Sequence, residues 1–205
     1  MKACLLLPAM LLGLPVLPSC TQAPPAKTLT APHFSIRPLG EDHVATQVDP
    51  QRGRLAAPLT RDSFREFTIG QGSGRDGFDS VRVFADGSGT FNTSSPSQGG
   101  AGQVSFQLSQ QERDALIEAL VQSRITGLAG MYTSGIWDGT QGFFEVRTSD
   151  GRVWSCLDNC WPRPFQRMLE YCEKQIVDRH FPSKPMHGRK ADFDGFAEYR
   201  RVLGK

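Results

Sequence analysis

An α+β domain is the fold the sequence predicts: a single antiparallel sheet built from two hairpins and flanking strands, with two helices packed on one face. Three observations predict it. Apolar residues alternate in two stretches that each double back at a glycine-containing turn. Two other stretches carry apolar residues at helical spacing along one side only. The links between strands are short, so strands adjacent in sequence become adjacent in the sheet, without the long crossovers of a parallel nucleotide-binding sheet.

The first strand is expected from Ser63, where Phe64-Arg65-Glu66-Phe67-Thr68-Ile69 alternates. Val81, Val83 and Ala85 then alternate with Arg82 and Phe84, the chain turns at Asp86-Gly87-Ser88-Gly89, and Thr90-Phe91 starts back. Glycine adopts positive φ cheaply there, which suits a hairpin. After a polar, glycine-rich loop, Val104, Phe106 and Leu108 share one side of a further strand. Ser109 with Glu112 three residues on forms a capping box, so a helix starts there and carries Leu116, Ile117, Leu120 and Val121 on one side, with Gly127 as its stop. A second hairpin runs in over Phe143 to Thr148, turns at Ser149-Asp150-Gly151 and runs out over Arg152 to Leu157. Pro162 and Pro164 suit a helix entrance, where a missing N–H costs little. Beyond them Phe165, Met168, Leu169, Cys172, Ile176 and Val177 form the stripe of a second helix.

The ends of the chain read differently. Residues 1–19 have a basic start at Lys2, an apolar stretch broken by Pro8, Gly13 and Pro15, and then Leu17-Pro18-Ser19-Cys20. The stretch is shorter than the ~20 residues of a membrane span and has the make-up of a signal peptide. Leu17-Pro18-Ser19-Cys20 resembles the lipobox of bacterial lipoproteins, with an aliphatic residue three before the cysteine and a small one just before it. The resemblance implies cleavage before Cys20 and a membrane anchor through lipid on that cysteine. The other reading is an ordinary secretory signal, cut near the same place to leave Cys20 as a thiol. In Gram-negative lipoproteins Asp after the cysteine favours the inner membrane; Thr21 stands here, so the resemblance implies the outer membrane, facing the periplasm.

Residues 20–62 are proline-rich and aperiodic and are expected to be a flexible tether, with Phe34, Ile36 and Leu39 the residues that would dock if part of it lay on the domain. The folded domain is expected over 63–181. Residues 182–205 form a basic, polar tail in which Phe193, Phe196, Tyr199 and Val202 sit three apart, the mark of a short helix. The domain loosely resembles an uncharacterised family found on bacterial lipoproteins, in which two strand pairs each lead into a helix. The likeness spans about Phe64 to Val177. The family's Cys-Gly-x-Cys-Pro motif beside the first strand is replaced by Gly70-Gln71-Gly72-Ser73-Gly74. It implies no activity.

A net charge of +2, from 23 basic and 21 acidic side chains, gives no electrostatic case for nucleic acid. Gly72-Ser73-Gly74-Arg75-Asp76-Gly77 fits G-x-G-x-x-G but lies between strands, where no helix N-terminus can meet a phosphate, so a turn is the expectation. His33, His43, His180 and His187 fall outside any triad-like setting, and Glu145 with Asp158 forms at most a loose acid pair. No catalytic residues, cofactor or metal site emerge.

Cysteine is more informative. Once Cys4 is removed and Cys20 is lipidated, Cys156, Cys160 and Cys172 remain, an odd number for an oxidising compartment. Cys172, on the apolar stripe, lies about 12 Å along the helix from its mouth, beyond the reach of Cys160. Cys156 can bridge to Cys160, closing the strand-to-helix turn, or to Cys172; the short Cys156–Cys160 bridge is preferred. Its functional version is a thiol–disulfide protein with Cys160 activated at a helix N-terminus. Finally, Tyr132, Trp137, Asp138, Trp154 and Trp161 are a candidate binding patch for an envelope protein or glycan, since exposed aromatics contribute disproportionately to interfaces.

Overall fold

The computed structural model describes residues 46–47, 53, 55–74, 77–93, 102–128, 130–133, 139–181 and 194–204. The signal peptide, Cys20 and the Phe34, Ile36 and Leu39 segment lie outside these residues.

One sheet of eight strands organises the chain. They are β1 (Thr46–Gln47), β2 (Phe64–Ser73), β3 (Gly77–Phe84), β4 (Ser88–Thr93), β5 (Gly102–Gln107), β6 (Gly130–Thr133), β7 (Gln141–Thr148) and β8 (Gly151–Asp158), in the spatial order β1-β6-β8-β7-β2-β3-β4-β5. Both expected hairpins are present, and β2 joins them by pairing antiparallel with β3 on one side and β7 on the other. The coarse α+β expectation therefore holds, with two corrections. The sheet is mixed, because β6 pairs parallel to β8. Helices also cover both faces rather than one.

On the first face lie α1 (Gln110–Ser123) and α2 (Arg163–Cys172), the latter running on through a π turn (Glu173–Val177) into Asp178–His180. The capping box is formed: the Glu112 amide donates to Ser109 Oγ at 3.3 Å, and the Ser109 amide donates to Glu112 Oε2 at 2.8 Å. Alternation sends Phe67, Ile69, Val81, Val83, Phe144, Val146 and Val153 to this face, where Leu116, Leu120, Phe165, Met168, Leu169 and Cys172 bury them. The interleaved residues point to the second face. There α3 (Ala197–Leu203) covers a smaller, separate cluster of Phe78, Phe143, Cys156 and Val202, with Trp154, Phe196, Tyr199 and Leu203 packed against it. The tail's expected short helix is real, and it belongs to the domain.

Part of the expected tether belongs to it too. β1 pairs antiparallel with β6, Gly53 lies against the backbone of Arg152, Val153 and Trp154, and Leu55 and Leu59 pack on the main core. β6 pairs with Ser155 to Asp158 of β8, and Gly53 meets the stretch of β8 before them. The Gly72 to Gly77 motif is the β2–β3 turn, with Ser73 opposite Gly77 and a strand following, so no helix N-terminus is offered to a phosphate. No helix among the described residues is long and apolar enough to cross a membrane.

Candidate functional site: a groove between two helices

The start of α1 and the end of α2 together line a groove of about 530 Å³. The capping box fixes one wall, which presents Gln111 and Glu112. The π turn, a frequent companion of functional sites, shapes the other with Tyr171, Gln175 and Arg179. Leu108, Ala115 and Ile176 are the apolar members of the lining. Hydrogen bonds from the Ser109 hydroxyl and amide, helped by His180 and Arg179, hold the Glu112 carboxyl below the usual carboxylate range. His180 Nε2 stands 3.4 Å from Glu112 Oε1. Burial pushes the Tyr171 phenol up to about 12, so it stays protonated and both donates and accepts hydrogen bonds at neutral pH. One acid, one base, two amides and a phenol, with three apolar side chains among them, suit recognition of a ligand that both donates and accepts hydrogen bonds.

The cysteines are placed by strand parity. Cys156 points to the second face and is packed under α3, whereas Cys172 lies in the main core on the first face. The sheet itself separates them, which removes the Cys156–Cys172 bridge. Cys160 lies two residues past β8, after Asn159, whose φ of 53° turns the chain toward α2. Both Cys156 and Cys160 are buried, and no disulfide joins them in this structure. Burial raises the Cys160 thiol above its ordinary pKa, opposite to the activation that thiol exchange requires. Cys172, wholly buried, is raised further.

The aromatic candidates do not converge. Tyr132 and Trp161 pack against the main core on the first face, Trp161 with its ring 5.3 Å from that of Phe165, whereas Trp154 packs with the second cluster. Trp137 and Asp138 lie outside the described residues.

What the sequence reading missed is a charge network beneath α3. Glu145, on β7, is fully buried. Its Oε2 lies 2.5 Å from an Arg201 terminal nitrogen, and its Oε1 lies 3.0 Å from Arg147 Nε and in close contact with Arg152 Nε. The Arg147 and Arg152 approaches are ion pairs without aligned hydrogen bonds. Arg201 also reaches Glu66 at 3.1 Å, Glu198 at 2.8 Å and the Thr68 hydroxyl at 2.8 Å. Arg82 pairs with Glu66 at 2.9 Å and with Glu198 at 3.2 Å. Arg152 further donates to the Val202 carbonyl. Glu145 is thus committed to arginines and is not placed to share proton transfer with Asp158. Among the described residues, no cluster of three or more His, Cys, Asp or Glu side chains could hold a metal ion.

No family model matches the chain, and no curated protein matches it.

Proposed function

We propose that the chain is a lipoprotein of the bacterial cell envelope, anchored through lipid on Cys20, whose folded part binds a partner through the α1–α2 groove and performs no covalent chemistry. The observation that carries the binding reading is the groove lining: hydrogen-bonding side chains from both helices beside the apolar Leu108, Ala115 and Ile176. Leu17-Pro18-Ser19-Cys20 supports the anchor, and the burial of Cys156 and Cys160 weighs against a thiol–disulfide role. A Cys156–Cys160 bridge would close the strand-to-helix turn and serve the fold.

Two measurements test this reading. Intact mass spectrometry of protein extracted from its native membranes, with thiols alkylated before and after reduction, should find a lipid-sized increment on Cys20. An unlipidated chain removes the membrane address, and a partly reduced Cys156–Cys160 pair moves the reading to redox chemistry. A photo-crosslinking side chain placed at Gln111 or Gln175 should give a discrete adduct in intact envelopes that the same group at Val121, exposed elsewhere on α1, does not give. Equal adducts from all three positions would rule out the groove.

A further inference from the structure

We propose that the second face of the sheet is a helix-docking site, held at rest by the chain's own α3 as a releasable clasp, and that on release it accepts the same segment of a second copy. This surface is distinct from the groove and independent of the anchor.

Helix α3 has seven residues. Nucleation makes so short a helix unstable alone in water, so its structure exists only against the sheet. Its hold is concentrated in a few groups. Val202 is fully buried, Tyr199 stacks on Phe78 with ring centres 4.3 Å apart, and Phe196 meets Phe78 edge-on at 5.7 Å. Just before the helix, the Gly195 carbonyl accepts the Phe78 amide at 3.1 Å. Arg201 meets Glu145, Glu66 and Glu198, and Glu198 meets Arg82. The apolar cluster beneath α3 is separate from the main core, which α1 and α2 seal from the other face. Release therefore uncovers Phe78, Phe143, Cys156 and the Glu66 and Glu145 carboxylates while leaving the principal core intact, which is the condition for opening below the cost of global unfolding. The uncovered surface is complementary to an arginine-bearing aromatic helix. Asp194 to Lys205 of another copy supplies that chemistry by identity.

Two cysteines in one chain report the release. In full-length protein with Cys160→Ser, a thiol reagent should modify Cys156, under the clasp, at least tenfold faster than Cys172, under α2. Arg201→Ala should speed Cys156 a further tenfold, about 1.4 kcal/mol of clasp stability, and leave Cys172 unchanged. A fluorescent peptide of Asp194 to Lys205 should bind the Arg201→Ala chain saturably, and bind the unsubstituted chain at least tenfold more weakly because its own helix competes. The same peptide carrying Arg201→Ala should lose affinity.

A single common rate for Cys156 and Cys172, with or without Arg201, means the domain opens only as a whole and overturns the clasp. A peptide that fails to bind an Arg201→Ala chain whose Cys172 stays protected overturns docking in trans. Where Cys172 of the variant is itself reactive, the variant has not folded, and raised salt on the unsubstituted chain replaces it. Screening should then accelerate Cys156 alone, and no selective acceleration overturns the clasp.

Discussion

Replacing Glu145 with alanine should destabilise the domain by about 3 kcal/mol. The carboxylate is inaccessible to water and lies among the side chains of Arg147, Arg152 and Arg201. Removing one partner of a buried ion pair costs about 3–5 kcal/mol, because the opposite charge is left without compensation. The three arginine side chains keep 41%, 34% and 24% exposure and can turn partly to water, which places the cost at the lower end of that range. For a chain of this size, about 3 kcal/mol corresponds to a fall in Tm of roughly 6–12 °C. Urea unfolding followed by tryptophan fluorescence measures it directly. The midpoint should fall with an unchanged slope, since the surface exposed on unfolding is the same. Glu145→Gln, which keeps the shape and loses the charge, should lie between. A loss under about 1 kcal/mol for Glu145→Ala would mean that the arginines do not depend on this carboxylate, and the network would cease to explain how α3 is held.

Three other outcomes are expected. Gly70→Ala should cost about 1–3 kcal/mol by overpacking, because its Cβ would lie 2.6 Å from the Phe143 ring and 2.7 Å from the Asp79 carbonyl; thermal melts against a solvent-facing Gly127→Ala control, where a Cβ meets nothing, test it. Ser109→Ala should remove about 1 kcal/mol of helix capping and let the Glu112 carboxyl rise toward its ordinary value, seen by NMR titration. The lowered carboxyl stabilises the fold above its unfolded-state pKa, and that contribution is lost as pH falls through the folded value, so Ser109→Ala should weaken acid dependence in that window. Cys172→Ser should cost about 1–3 kcal/mol by burying a hydroxyl among apolar side chains, and more than Cys160→Ser, where the side chain is less completely buried; paired denaturation curves decide it.

How much of this was legible in the sequence depended on how local the cause was. Both hairpins, the capping box at Ser109 and the stripe from Phe165 to Val177 follow from short-range pattern and chemistry, and each lies where expected. β6 was missed because Gly130-Met131-Tyr132-Thr133 is too short to show alternation, and its parallel partner β8 lies beyond an intervening strand. The second face was missed for a different reason. Glu66, Arg82, Glu145, Arg147 and Arg152 read as the polar side of half-exposed strands, and only α3, far along the chain, turns that side into an interior. A signal was present in Phe143-Phe144 and in Trp154 and Cys156 alternating with Val153, Ser155 and Leu157, since apolar residues on both parities imply burial on both faces. The groove was invisible because its lining comes from two helices far apart in the chain, and neither encodes it alone.

The docking of the N-terminal approach gives the domain a mechanical character. Among the described residues, tension arriving from that side meets β1, a strand of only two residues on β6, then the contact of Gly53 with β8, before it reaches the apolar grip of Leu55 and Leu59 on the main core. Detaching β1 and Gly53 disturbs no hairpin and no helix, and the span from Thr46 to Leu55 has a reach of roughly 30 Å when extended. A pulling experiment should therefore record a small, low-force extension ahead of the main rupture. The edge of the sheet would act as a slack reserve, yielding length before the fold yields structure.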